Sequence, residues 1–130
     1  MVRKPAGDRP GAGPLFSRKV VAGRHACLQL SVGANGEVVR AGDFQAHFRQ
    51  VVQNLAEVLK GLGADYKSVV KFTTYLTRSE DIEKFIVLRR ELVPKLFGSE
   101  DYPPNTLLIV SRLVKADFLV ELEAVAAVDR

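Results

Sequence analysis

Between positions 44 and 62, apolar side chains recur at steps of three and four: Phe44, Phe48, Val51, Val52, Leu55, Val58, Leu59 and Leu62. That spacing gathers them on one face of a helix. Asp43 stands where an N-cap carboxylate can accept from the free N–H groups of the first turn. Gly61 and Gly63 supply a helix end. From Val69 to Thr77 the period changes to two: Phe72, Thr74 and Leu76 share one side, Lys71, Thr73 and Tyr75 the other, as in a strand. A second helix is expected from an Ser79 cap to about Phe97. Ile82 stands where a full capping box would have glutamate, and Pro94 is expected to kink or shorten the last turn.

The remaining chain reads as extended. Leu15–Ala22 and Ala26–Ser31 are expected strands punctuated by Gly23, and Gly33-Ala34-Asn35-Gly36 is a turn, Asn-Gly being a hairpin signal. Val38-Val39 is a short extended piece. After a loop from Gly98 to Pro104, two strands close the chain, near Thr106–Arg112 and Phe118–Val128. The order β-β-β-α-β-α-β-β predicts an α+β domain with two helices over one face of a sheet. In the last strand Phe118, Val120, Leu122, Ala124 and Ala126 form an apolar side. The other side, with Leu119, Glu121, Glu123, Val125 and Ala127, is mixed. A mixed side suits either an oligomer interface holding a cleft or a solvated sheet face, and alternation does not choose between them.

Composition narrows the setting. At 130 residues, 47% hydrophobic and 26% charged, the chain has single-domain length and globular character. The net charge of +4 is partly carried by Arg3, Lys4 and Arg9 in a proline- and glycine-rich start. Residues 1–13 are therefore expected to be a flexible arm, and 14–130 one domain. Basic residues are not interleaved with aromatics in a stripe, which argues against nucleic acid as a partner. Cys27 is the single cysteine, so no internal disulfide or multi-cysteine zinc site is expected. It reads as a small buried hydrophobe. His25 and His47 lack ligand spacing; they read as surface or interface residues, and no metal is expected. No apolar run nears the ~20 residues of a membrane span, and no signal-peptide core is seen; the expected compartment is the cytoplasm.

One residue is odd on local grounds. Ile82, Phe85, Ile86, Leu92, Val93 and Leu96 make the apolar stripe of the second helix, and Arg89 falls near its centre. Arginine is almost never fully buried without a partner. Either its stem lies on apolar surface with the head reaching out, or it meets a carboxylate, with Glu121 and Glu123 as candidates, or it meets a ligand anion.

Several blocks, in order, resemble the RidA/YjgF family. Gly13-Pro14-Leu15-Phe16-Ser17 is similar to that family's Gly-Pro-Tyr-Ser entry, with Phe16 near the usual tyrosine. Gly42-Asp43-Phe44-Gln45 followed by Gln53-Asn54-Leu55 is similar to its first helix. Gly63-Ala64-Asp65 and Val69-Val70-Lys71-Phe72-Thr73-Thr74-Tyr75-Leu76 resemble its Gly-Ala-Ser and Val-Val-Lys-x-Thr-Val-Tyr-Leu block. Pro103-Pro104-Asn105-Thr106 and Leu119–Ala126 resemble its closing signature. The resemblance implies a chorismate-mutase-like α+β fold. It also implies a homotrimer with a central barrel and clefts between neighbouring subunits, a small-molecule substrate and no cofactor.

The departures are as informative. Asn105 stands where imine-hydrolysing members carry a carboxylate-binding arginine. Leu107 stands where many have cysteine, and Arg89 where many have an asparagine near the cleft. Glu121 fits the glutamate that helps hold the attacking water. The family's early-strand serine-glycine-glutamine has no clear counterpart, with Ser31 and Gly33 nearby. Hydrolysis of a 2-imino acid needs its carboxylate fixed and a water placed at the imine carbon, with proton transfer to the leaving ammonia. The resemblance thus makes Glu121 the catalytic candidate, with Arg89, Asn105, Phe16 and Leu107 at the substrate. One reading exchanges the guanidinium to Arg89 while Asn105 takes the amide role. The other function class is a non-catalytic trimer binding a small metabolite or a partner in the same clefts.

Overall fold

The stripe of positions 44–62 folds as its spacing predicts. In the computed structural model, which describes residues 16–21, 25–30, 40–98 and 102–128, helix α1 spans Phe44–Gly61. The Asp43 carboxylate accepts from the Ala46 N–H at 3.0 Å, which satisfies one of the orphan donors of the first turn. At the other end the Leu62 N–H reaches back to the Val58 and Leu59 carbonyls. Gly63, at φ +71, then takes the left-handed turn that a side chain would resist.

Helix α2, Asp81–Phe97, is held differently. Its N-cap is Glu80, with no side-chain cap bond; Ser79, the expected cap, offers only its backbone carbonyl, to the Ile82 N–H at 3.1 Å. Asp81 does the anchoring instead. It is fully buried and accepts from Arg78 through Nε at 2.8 Å and Nη2 at 3.1 Å. A carboxylate in the first turn also suits the positive end of the helix dipole. The helix runs past Pro94 to Phe97, and Gly98 closes it in the left-handed conformation.

Among the described residues five strands form one sheet: β1 Phe16–Val21, β2 His25–Leu30, β3 Val69–Leu76, β4 Asn105–Ile109 and β5 Val120–Ala127, in the order β1-β2-β5-β3-β4. Only β3 and β4 run parallel, and α2 is the crossover that such a pair requires. A single 3₁₀ turn, Tyr66–Ser68, leads into β3. β5 starts later than expected, because Phe118 ends a turn by donating to the Lys115 carbonyl. β4 stops at Ile109, short of Arg112, whose guanidinium instead binds the Leu113 and Val114 carbonyls. The turn expected at 33–36, the piece Val38-Val39 and the arm 1–13 lie outside the described residues.

Both helices cover one face of the sheet. Val120, Leu122, Ala124 and Ala126 of β5 are buried there with Val51, Leu55 and Leu59 of α1 and Phe85 and Leu88 of α2. Phe48 and Phe85 tie the helices together edge to face at 5.5 Å, a favoured aromatic geometry. The two-residue period of a strand then fixes which side chains meet the helices and which point away.

Candidate functional site

Arg89 sits on the face of α2 that its stripe position predicts, and its guanidinium lies between two aromatic rings. The Cζ atom is 5.4 Å from the Phe85 centroid and 5.2 Å from that of Tyr102, both within cation–π range. Its Nε is buried without a hydrogen-bond partner, and among the described residues no carboxylate forms a salt bridge with Arg89. The expected pairing with Glu121 or Glu123 does not form, because the sheet lies between them. In register, Glu121 pairs with Tyr75 and Glu123 with Thr73, on the face away from the helices. There the Tyr75 hydroxyl donates to Glu123 Oε1 at 3.5 Å.

Asn105 opens β4 opposite Phe72. The parallel register puts it beside Thr74, whose fully buried hydroxyl donates to Asn105 Oδ1 at 2.7 Å. That bond uses the amide oxygen and directs the Asn105 NH₂ group to serve as the donor. The strand is positioned by the Phe72 N–H, which donates to the Pro104 carbonyl at 2.9 Å.

Between α1, α2 and strands β3 and β5 lies a cavity of about 60 Å³, lined by apolar side chains such as Phe48, Phe72 and Leu92, with Arg89, Tyr102 and Asn105 also on its wall. The structure thus brings Arg89 and Asn105 to one cavity. Glu121 is half-buried on the opposite face of the sheet. Leu107 shares the Asn105 side of β4 and packs on the core. Phe16 is in β1 and Cys27 in β2, and the side chains of both lie outside the described residues.

Two residues carry more than the sequence reading assigned them. Thr74 appeared only as one inward position of an alternating strand; a hydroxyl on an apolar face was the available signal, since a buried polar group needs a partner. His47 is fully buried rather than at a surface. Its place three residues after Phe44 put it on the apolar face of α1. Its Nε2 is 3.1 Å from the Arg40 carbonyl, and its Nδ1 is buried without a hydrogen-bond partner. His25 is exposed, as expected. Burial raises the Tyr66 pKa, and its hydroxyl donates to the Val52 carbonyl at 3.1 Å. Among the described residues no group of three or more His, Cys, Asp or Glu could hold a metal ion, and no helix is long and apolar enough to cross a membrane.

Residues 7–128 match the family model described as Endoribonuclease L-PSP. A RutC family protein of Pyrococcus horikoshii is 37% identical over 91 residues, covering 70% of this chain and 67% of that protein. The human 2-iminobutanoate/2-iminopropanoate deaminase is 29% identical over 120 residues, covering 90% and 82%. The crystal structure of RidA from an Antarctic Psychrobacter superposes with a TM-score of 0.76 at 26% identity, covering 97% of this chain and 99% of that one. The match across nearly the whole chain, on the same α+β architecture, shows that this protein belongs to the YjgF/RidA family.

Proposed function

We propose that this protein hydrolyses 2-imino acids to 2-keto acids and ammonia, as a cytoplasmic homotrimer, with the substrate carboxylate held by Arg89. The observation that carries the reading is the guanidinium itself, stacked between Phe85 and Tyr102 on the wall of a cavity that also reaches Asn105. A planar guanidinium binds a carboxylate through two N–H groups, and it does so from more than one direction. The Asn105 amide adds a neutral donor where the family has its arginine. The two positions have exchanged residue types, and the anion site is kept. Leu107, on the Asn105 side of β4, is proposed to stand next to the substrate; within one chain β1, which carries Phe16, is at the edge of the sheet opposite β4, so a role for Phe16 at the substrate is proposed from a neighbouring copy.

Glu121 is the proposed water-holding residue. From the outer face of the sheet it reaches such a substrate only round the β4 edge or across a boundary between copies. Activity that depends on Glu121 is therefore expected to need one of these two routes, and dependence of that activity on protein concentration would point to the second. The position of Glu121 is also the one observation that favours the second reading, a trimer that binds a small metabolite in this cavity without turning it over.

The test is ammonia release from freshly generated 2-iminobutanoate and 2-iminopropanoate by the parent chain, Arg89→Ala and Glu121→Ala. Acceleration lost in both variants supports hydrolysis. Stabilisation by a keto acid without acceleration supports the binding protein. Full activity in Arg89→Ala overturns the anchor assignment.

A further inference from the structure

Among the described residues no carboxylate pairs with Arg89, and its Nε–H has no hydrogen-bond partner. Two ring faces support the guanidinium instead. We infer that Tyr102 is a positioning residue: its ring, through the cation–π contact, holds the Arg89 guanidinium in place near Asn105, so that an incoming carboxylate meets an anchor already oriented. The inference rests on the assignment of the carboxylate to Arg89.

The two rings are not equivalent. Phe85 lies four residues before Arg89, on the same face of α2. It is 3% exposed and packed edge to face against Phe48, so it belongs to the core. Tyr102 is 41% exposed and stands outside the core cluster. The core does not depend on its ring, yet its backbone is stiff. Pro103 and Pro104 have fixed φ, and a residue before proline is itself restricted. The Phe72 N–H then holds the Pro104 carbonyl at 2.9 Å. The same short segment ends at Asn105, and Arg89, Tyr102 and Asn105 all stand on the cavity wall. One stiff segment thus carries both the ring that holds the guanidinium and the amide beside it. A long side chain left free loses rotamer freedom when a ligand binds; a stacked one has lost it beforehand.

The experiment is a ring series at position 102. Tyr102→Trp, Tyr102→Phe and Tyr102→Leu are each shown folded by circular dichroism. Binding of 2-oxobutanoate is measured by titration calorimetry, and kcat and KM with freshly generated 2-iminobutanoate, in the parent and in the Arg89→Ala background. An indole, a phenol and a phenyl ring all present a cation–π face, whereas leucine fills space without one. Tyr102→Trp and Tyr102→Phe are expected to bind the keto acid within about threefold of the parent. Tyr102→Leu is expected to bind it about five- to tenfold more weakly. KM should rise by the same factor with kcat within about twofold, since an anchor used alike in ground and transition states moves KM. With Arg89→Ala already present, Tyr102→Leu is expected to change nothing further, as for a residue that acts only through Arg89. Binding lost in Arg89→Ala but equal to the parent in Tyr102→Leu overturns the inference and leaves the anchor. A Tyr102→Leu loss that persists without Arg89 also overturns it, because the ring then acts on the ligand itself. Undiminished affinity in Arg89→Ala, or no keto-acid binding by the parent, overturns the anchor and the inference with it. Keto-acid binding that follows the ring series, with no turnover of the imine, supports the inference and sinks the deaminase reading.

Discussion

The two faces of the sheet come from the same strands yet are different chemical surfaces. Along β3 and β5, Phe72, Thr74, Leu76, Leu122 and Ala124 meet the helices, while Lys71, Thr73, Tyr75, Glu121 and Glu123 point away. On the covered face the few polar groups sit in an apolar wall, Thr74 paired with Asn105 and Arg89 stacked on two rings with its Nε unpartnered. On the outer face Lys71 and Glu123 are exposed, and Glu121 is half-buried. The contrast teaches where selectivity resides. A polar group in an apolar wall makes a specific demand on a ligand, because leaving it unmatched is costly. A charge in water makes little.

The largest test of this contrast is stability. Leu122→Ala removes a side chain that is 5% exposed, and it is expected to cost about 3 kcal/mol in urea unfolding. Glu123→Ala, one residue away on the other face, is expected to stay within about 0.5 kcal/mol. Comparable losses at the two positions would mean that the outer face is buried as well, as an oligomer interface is. On the covered face itself, Asp81→Ala is expected to cost about 3 kcal/mol, because it strips Arg78 of a fully buried partner and α2 of its anchor.

At the site the expected effects are smaller in energy and sharper in meaning. Arg89→Ala removes charge-assisted bonds to a carboxylate and is expected to lower kcat/KM for 2-imino acids by about 10- to 100-fold, the equivalent of about 1.5–3 kcal/mol. Thr74→Val keeps the volume but deletes the donor to Asn105, at a cost of about 1 kcal/mol, and frees the amide to turn. If Thr74→Val leaves substrate selectivity untouched while Arg89→Ala abolishes it, the guanidinium alone reads the ligand.

Most of the fold was legible in the sequence because it follows from period. The steps of α1, the alternation of β3 and the apolar side of β5 each dictate a burial pattern that packing then satisfies. What was not legible depends on contacts between distant segments. The start of α2 is anchored through Asp81 rather than capped by Ser79, because Arg78 folds back onto that carboxylate, and no local rule ranks the two. The stripe flagged Arg89 as misplaced, but it could not say that Tyr102, thirteen residues on, covers the guanidinium. Alternation along β5 already put Glu121 on the side away from the helices; what spacing did not show is which residues face it. Its partner Tyr75 requires the register of β5 against β3, which a bulge between Val69 and Lys71 shifts by one residue.

The smallest expected effect sharpens the comparison from the outer side. Tyr75 has its pKa raised above 10.0, first by desolvation and then by the Glu123 carboxylate beside it. A raised value means that the folded chain holds the phenol proton more tightly than the unfolded one. The associated stability is fully present below the ordinary tyrosine range and is lost as pH rises through the folded value. Glu123→Gln removes the charge but leaves the desolvation, so the Tyr75 midpoint, read from the phenolate absorbance against a Tyr75→Phe blank, is expected to fall part of the way to the ordinary value. A midpoint that does not move would mean that Tyr75 and Glu123 do not meet in solution. A midpoint that climbs with protein concentration would mean that a second copy desolvates this face. The outer surface would then be the one on which the assembly, and with it the reach of Glu121 to the cavity, is built.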